Sequence, residues 1–248
     1  MDRPATAYDQ LLDETVRDGL VYYRTLKGAR GRLDAYVASL ASVAIDSAPI
    51  EEQMAFWLNA YNAFVLQTVV NHYPISQRTA DYPARSIRQI PGAFEGVRHR
   101  VAGLSLTLDQ IEQTKIAALK DPRLFMALGR GAVSSGRLRS EAYRPETVNR
   151  QLAEIQAECV TRSQCFQIAR AGDRMRVSAI FSWRQREFTE LYAAESPESF
   201  ARRSPQERAV LAFVIPQLYD AERAFIGKNT FRVEYLPFDW SLNDLTNR

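Results

Sequence analysis

The sequence predicts an α+β fold: a mostly helical single domain over residues 1–248, organised around one buried central helix and carrying a small, largely antiparallel sheet. Three observations predict it. Residues 54–73, MAFWLNAYNAFVLQTVVNHY, carry apolar side chains on every side of a helical wheel, with His72 the one side chain titrating near neutral pH. A helix that is apolar all round is buried. Most other segments repeat their apolar residues at helical spacing. The strand-like runs are short and come mainly as hairpins.

In chain order, residues 6–20 read as a helix, and residues 30–44 as a second with Leu33, Tyr36, Val37 and Leu40 on one face. The central helix runs from about Ile50 to His72, and Pro74 bars its continuation. Residues 74–98, rich in Pro, Gly and Arg, read as a long loop. Residues 94–108 alternate as short strands with Gly103 at the turn. Thr107 and Gln110 form a capping box that opens a short helix to residue 119. Residues 121–128 open another, with Pro122 at its first position. A small-residue loop, 129–136 (GRGAVSSG), follows, and then a helix from Pro145 to Cys159. Residues 165–170 and 174–178 read as a hairpin. Helices are expected over 182–193, 197–202 and 205–218, and a late strand over 231–236. Trp183 reads as a core aromatic, and Asp239 with Trp240 as a tie holding the C-terminal segment.

The bulk numbers are those of an ordinary globular chain: 248 residues, 46% hydrophobic and 25% charged. A net charge of +3 gives no argument for nucleic acid. Residues 54–73 are long enough to span a bilayer, but two Asn, a Gln, a His and two Tyr make them a poor span. Residues 1–20 are polar and acidic, without the apolar run of a signal peptide. That reading expects a cytoplasmic protein, or a periplasmic or secreted one whose leader is missing from the chain. Cys159 and Cys165 either close a short disulfide or stand as two unlinked thiols. With only His72 and His99 beside them, no zinc set is expected. No cofactor is expected, since P-loop, dinucleotide and calcium-loop patterns are missing.

Chemistry concentrates on the loop 129–136. Small residues let a backbone approach a ligand closely, Ser134 and Ser135 offer hydroxyls, and Arg123, Arg130, Arg137, Arg139 and Arg144 surround them. Such guanidiniums suit a carboxylate, phosphate or acidic partner. Glu112 lies on the capped helix before the loop. Asn59 and Asn62, three apart on the buried helix, share a face. They need polar partners there, as a pin on loops or as a site wall. A serine nucleophile would need a positioned base, and no histidine lies near Ser135 in sequence.

Taken together, several stretches resemble the domain of unknown function 547 family. Phe56-Trp57-Leu58-Asn59-Ala60-Tyr61-Asn62-Ala63 is similar to its FWxNAYNA signature. Val21-Tyr22-Tyr23 with residues 33–40, then residues 106–112, Asp121-Pro122-Arg123 with Ala127-Leu128, residues 178–183 and residues 238–243 follow in the family's order. The resemblance covers about residues 7–245 and implies a bacterial single-domain member. Where it places the family's loop cysteines, in a form like C-A-S-x-S-C-P, this chain has Arg130 and Ser135, and Gly136 replaces the proline. The family histidines fall at Gln113 and Phe125. Thiols beside imidazoles are the equipment of a nucleophile or a soft-metal site.

The resemblance therefore implies a degenerate thiol-enzyme-like scaffold. The leading expectation is a non-catalytic binding or structural protein with an anion or protein-partner site at Arg130, Ser134, Arg137, Arg139, Asn59, Asn62 and Glu112. The alternative is a hydrolase or transferase using Ser135 as nucleophile. A third reading is self-assembly through residues 197–218.

Overall fold

Thr6 opens the first helix with a reciprocal capping box: its hydroxyl accepts the Asp9 N–H, and the Asp9 carboxylate accepts the Thr6 N–H. The computed structural model describes residues 6–76 and 79–247. Positions 1–5 of the expected polar N-terminal run, and 77–78 of the expected loop, lie outside them. The chain divides into two compact units, described in turn. The first comprises Met1–Leu119, Ala127–Gln151 and Asp239–Arg248; the second comprises Lys120–Met126 and Leu152–Phe238.

In the first unit, α1 (Ala7–Thr15) is shorter than the helix expected over 6–20. The chain reverses at Asp18 and Gly19, whose φ angles are 49° and 80°. There β1 (Val16–Arg17) pairs antiparallel with β2 (Leu20–Val21). Asp-Gly is a strong hairpin signal, and it outweighs the helical spacing. An unanticipated α2 (Tyr23–Gly28) follows, and α3 (Arg30–Ser39) ends before residue 44. The central helix α4 (Ile50–His72) has the expected bounds and burial: Trp57, Leu58, Tyr61, Phe64 and Val69 are almost fully enclosed. Beyond it, the described part of the loop holds one 3₁₀ turn, Ile87–Gln89. Then β3 (His99–Val101) pairs antiparallel with β4 (Leu104–Leu106). Thr107 and Gln110 cap α5 (Leu108–Gln110) as expected. Instead of running on as a regular helix, the chain widens into a π-helical turn over Ile111–Ile116 and tightens to 3₁₀ at Ala117–Leu119. Such widened turns recur at functional sites, and Glu112 sits in this one.

The second unit holds α6 (Arg123–Met126) and, from Leu152 on, α7 (Val148–Thr161), which starts three residues later than Pro145 suggested. Cys159 and Cys165 are joined by a disulfide, so the linked alternative holds. β5 (Phe166–Ala169) pairs antiparallel with β6 (Arg174–Val177), and the late strand β7 (Arg232–Tyr235) joins β6 in parallel. Hairpin and late strand thus make one mixed sheet. α8 (Ile180–Trp183), α9 (Gln185–Tyr192), α10 (Pro205–Val214) and α11 (Asp220–Gly227) complete the unit. Between α9 and α10, residues 198–200 form a 3₁₀ turn in place of the helix expected over 197–202. α10 stops before residue 218 because Pro216 lacks an N–H, leaving a 3₁₀ turn at Ile215–Gln217. Phe181, Phe188, Tyr192 and Phe213 pack ring to ring. Trp183 does not join that core: it is 45% exposed and lies against Phe238, because it stands two positions, roughly half a turn, round α8 from the buried Phe181. Among the described residues no helix is long and apolar enough to cross a membrane.

Candidate functional site

The shared amide face of α4 meets the segment that leaves residue 127 and returns at residue 143. Asn62 Oδ1 accepts the Gly129 N–H at 2.8 Å, and its Nδ2 donates to Ala127 O at 3.4 Å. Asn59 Nδ2 donates to Tyr143 O at 2.8 Å, and Asn59 Oδ1 accepts the Tyr143 N–H at 2.9 Å. The two amides therefore hold both ends of the loop. Gly129 suits this close approach: a Cβ there would lie 3.4 Å from Asn62 Oδ1 and from the Leu138 side chain.

Between the two amides, Arg130 runs into the interior and is only 3% exposed. Its guanidinium donates to Glu112 Oε1 at 2.8 Å, and the Tyr61 hydroxyl donates to Glu112 Oε2 at 3.3 Å. Burial is the largest single influence and disfavours the Arg130 charge, but Glu112, Tyr61 and Asp109 together outweigh it and the guanidinium is held more firmly protonated than usual. Burial, with Glu112 second, pushes the Tyr61 phenol well above its ordinary value. The group is a closed buried ion pair with a neutral phenol on one carboxylate oxygen.

The loop tip is covered by the C-terminal segment, as Asp239 and Trp240 suggested. Ala132 bridges to Leu242, and the Val133 N–H donates to Ser241 O at 2.9 Å. The Ser134 N–H donates to Asp239 O at 3.2 Å, and Ser134 Oγ accepts the Asp239 N–H at 3.0 Å. Ser135 Oγ accepts the Ala132 N–H at 3.1 Å and donates to the Ala132 carbonyl. Both hydroxyls are buried and occupied.

The remaining arginines are paired as well, each with its own carboxylate. Arg137 meets Asp18 at 3.1 Å, Arg139 meets Glu141 at 2.7 Å, Arg144 meets Asp9 at 3.0 Å and Arg123 meets Asp121 at 2.6 Å. So Asn59, Asn62, Glu112 and Arg130 converge on the loop, while Arg137 and Arg139 turn to partners at its margin. His72 Nδ1 donates to Thr68 O at 2.9 Å. The buried His99 ring stacks on Phe64, centroids 4.4 Å apart, and its Nε2 has no hydrogen-bond partner among the described residues. Burial lowers the His99 pKa to about 4. Among the described residues no cluster of three His, Cys, Asp or Glu could hold a metal ion.

Sequence reasoning missed two participants. Tyr61 was visible as a polar group in an apolar helix, but its carboxylate partner is 51 positions away. Tyr143 contributes through its backbone, which leaves no mark in the sequence. A cleft of about 240 Å³ lies beside this clasp, lined among others by Tyr8, Asp9, Tyr36, Asn59 and Arg144.

No curated protein and no solved structure matches the chain. Residues 45–159 match the model of a family described as "Protein of unknown function, DUF547". That span holds α4, the Glu112 turn and the whole clasped loop, and over those residues the chain is similar to the DUF547 family.

Proposed function

We propose that the chain is a non-catalytic binding or structural protein on a degenerate thiol-enzyme-like scaffold. One observation carries this reading: the two places where the resemblance puts family cysteines are filled and occupied. Arg130 is sealed in a buried pair with Glu112, and Ser135 is bound on both its donor and acceptor sides to Ala132. A serine hydroxyl needs a neighbouring base to act as a nucleophile, and this one spends its proton on a backbone carbonyl. A serine-reactive fluorophosphonate tests the point. The folded protein is expected to remain unlabelled; labelling that disappears in Ser135→Ala would replace this reading with a serine enzyme.

The loop's margin supplies the partner-facing part. The Arg137–Asp18 pair is open to solvent, with 36% and 80% of the side chains exposed. Exposed pairs contribute about 0–1 kcal/mol, so an acidic ligand or partner can take over Arg137 at little cost. Titration with small carboxylates and phosphates should show weaker binding in Arg137→Ala; equal affinity in wild type and variant would remove the anion-binding part.

A further inference from the structure

We propose that a second cleft in the first unit, separate from the clasped loop, binds a small organic phosphate. Arg24 and Lys27 of α2 and Arg85 of the loop after α4 line it together. The cleft is about 350 Å³, at the lower end of the range for small-molecule sites. Its remaining walls are Tyr73, Pro74, Ile75 and Leu242, of which Ile75 and Leu242 are buried. Among the described residues no acidic side chain lines it.

Charge accounting separates this cleft from the loop. Each of the five arginines near the loop in sequence has its own carboxylate. Arg24 and Arg85 have no carboxylate within ion-pairing distance among the described residues, and Lys27 donates to the Tyr73 carbonyl, a neutral acceptor. The carboxylate on the adjoining chain, Asp244, is buried and engaged by the Tyr73 hydroxyl at 2.8 Å and by Thr246. Three like charges around one concavity repel, and that cost is recovered when an anion enters.

The chemistry of the walls selects the ligand. A phosphomonoester brings close to two negative charges and three acceptor oxygens at neutral pH. It can therefore engage two guanidiniums and an ammonium at once, where a carboxylate offers one charge and two oxygens. The apolar walls then face the organic part of the ligand. An aryl or alkyl phosphate uses both features, whereas inorganic phosphate uses only the cations.

Isothermal titration of the full chain with phenyl phosphate, inorganic phosphate and benzoate tests this. Phenyl phosphate is expected to bind most tightly. Arg24→Ala and Arg85→Ala should each weaken it by roughly tenfold, the effect of losing one charge-assisted contact. Both side chains are exposed, so unchanged melting temperatures will show that the variants fold. In Arg137→Ala the phenyl phosphate binding that depends on Arg24 and Arg85 should remain, whatever is lost at the loop margin, which keeps the two sites distinct. Absence of binding at millimolar ligand, or equal affinity in wild type and both cleft variants, would overturn the site. Benzoate binding as tightly as phenyl phosphate would overturn the phosphate assignment. Inorganic phosphate binding as tightly would overturn the role of the apolar walls.

Discussion

Asn59 and Tyr143, 84 positions apart, exchange two hydrogen bonds: the side-chain amide of one pairs with the backbone N–H and C=O of the other, as a neighbouring strand would. The helix thereby supplies a single residue's worth of sheet edge to the returning end of the loop. Asn62 does the same work at the outgoing end, on Gly129 and Ala127. Replacing either amide by Ala leaves a buried N–H and C=O unpaired. We expect Asn59→Ala and Asn62→Ala each to destabilise by about 1–3 kcal/mol. Urea unfolding measures this, and midpoints equal to wild type in both variants would contradict the clasp.

Arg130 and Glu112 make a second, harsher test of the same region. Their side chains are 3% and 11% exposed, so removing one partner strands a charge in the interior. Arg130→Met or Glu112→Leu should each cost about 3–5 kcal/mol, and the double variant should recover much of that loss, because apolar replacement of both partners is often neutral. A double-mutant cycle reads the coupling. Additive costs in the double variant would mean the pair is not coupled.

The central helix was legible because an all-apolar helix with two amides has one physical solution, burial with partners on the amide face. The capping box at Thr107 is equally local. The charge state of the loop was not legible. Read along the chain, five arginines stand near only Asp121 and Glu141; in space Asp9, Asp18 and Glu112 arrive from elsewhere to neutralise three of them. The cationic cleft escaped for the mirror-image reason, since Arg24 and Arg85 are unremarkable singly. The short hairpin at Asp18-Gly19 was within reach of turn chemistry, and helical spacing masked it. The parallel pairing of β7 with β6 had no local signal at all.

The disulfide joins residues six positions apart, at the end of α7 and the start of the hairpin. Closing so short a loop constrains the unfolded chain by about 2–3 kcal/mol in the chain-entropy treatment. A Cys159→Ala, Cys165→Ala double variant should lose about that much stability. The native chain, denatured without reductant, should show no titratable thiol. Two free thiols would contradict the bond.

His99 gives the chain a pH dependence whose sign follows from its burial. Its pKa falls from 6.5 to about 4 on folding, because the stacked, enclosed ring resists charging. Above about pH 6.5 both folded and unfolded forms are neutral, and the contribution to stability is complete. As the pH falls from 6.5 towards 4, the unfolded chain binds a proton that the folded one does not. Stability therefore declines by up to about 1.4 kcal/mol per pH unit, or about 3 kcal/mol across the window. Asp9, Asp34, Glu95 and Glu141, all held below the ordinary carboxylate range, also lose stabilisation on acidification, so the wild-type profile alone does not isolate the histidine. Comparison with His99→Phe does, because phenylalanine preserves the ring against Phe64 and cannot titrate. The stability of wild type relative to this variant should fall by about 2–3 kcal/mol between pH 7 and pH 4.5 in denaturant titrations. Parallel profiles for the two proteins would show that His99 is already protonated, or solvated, in the folded state.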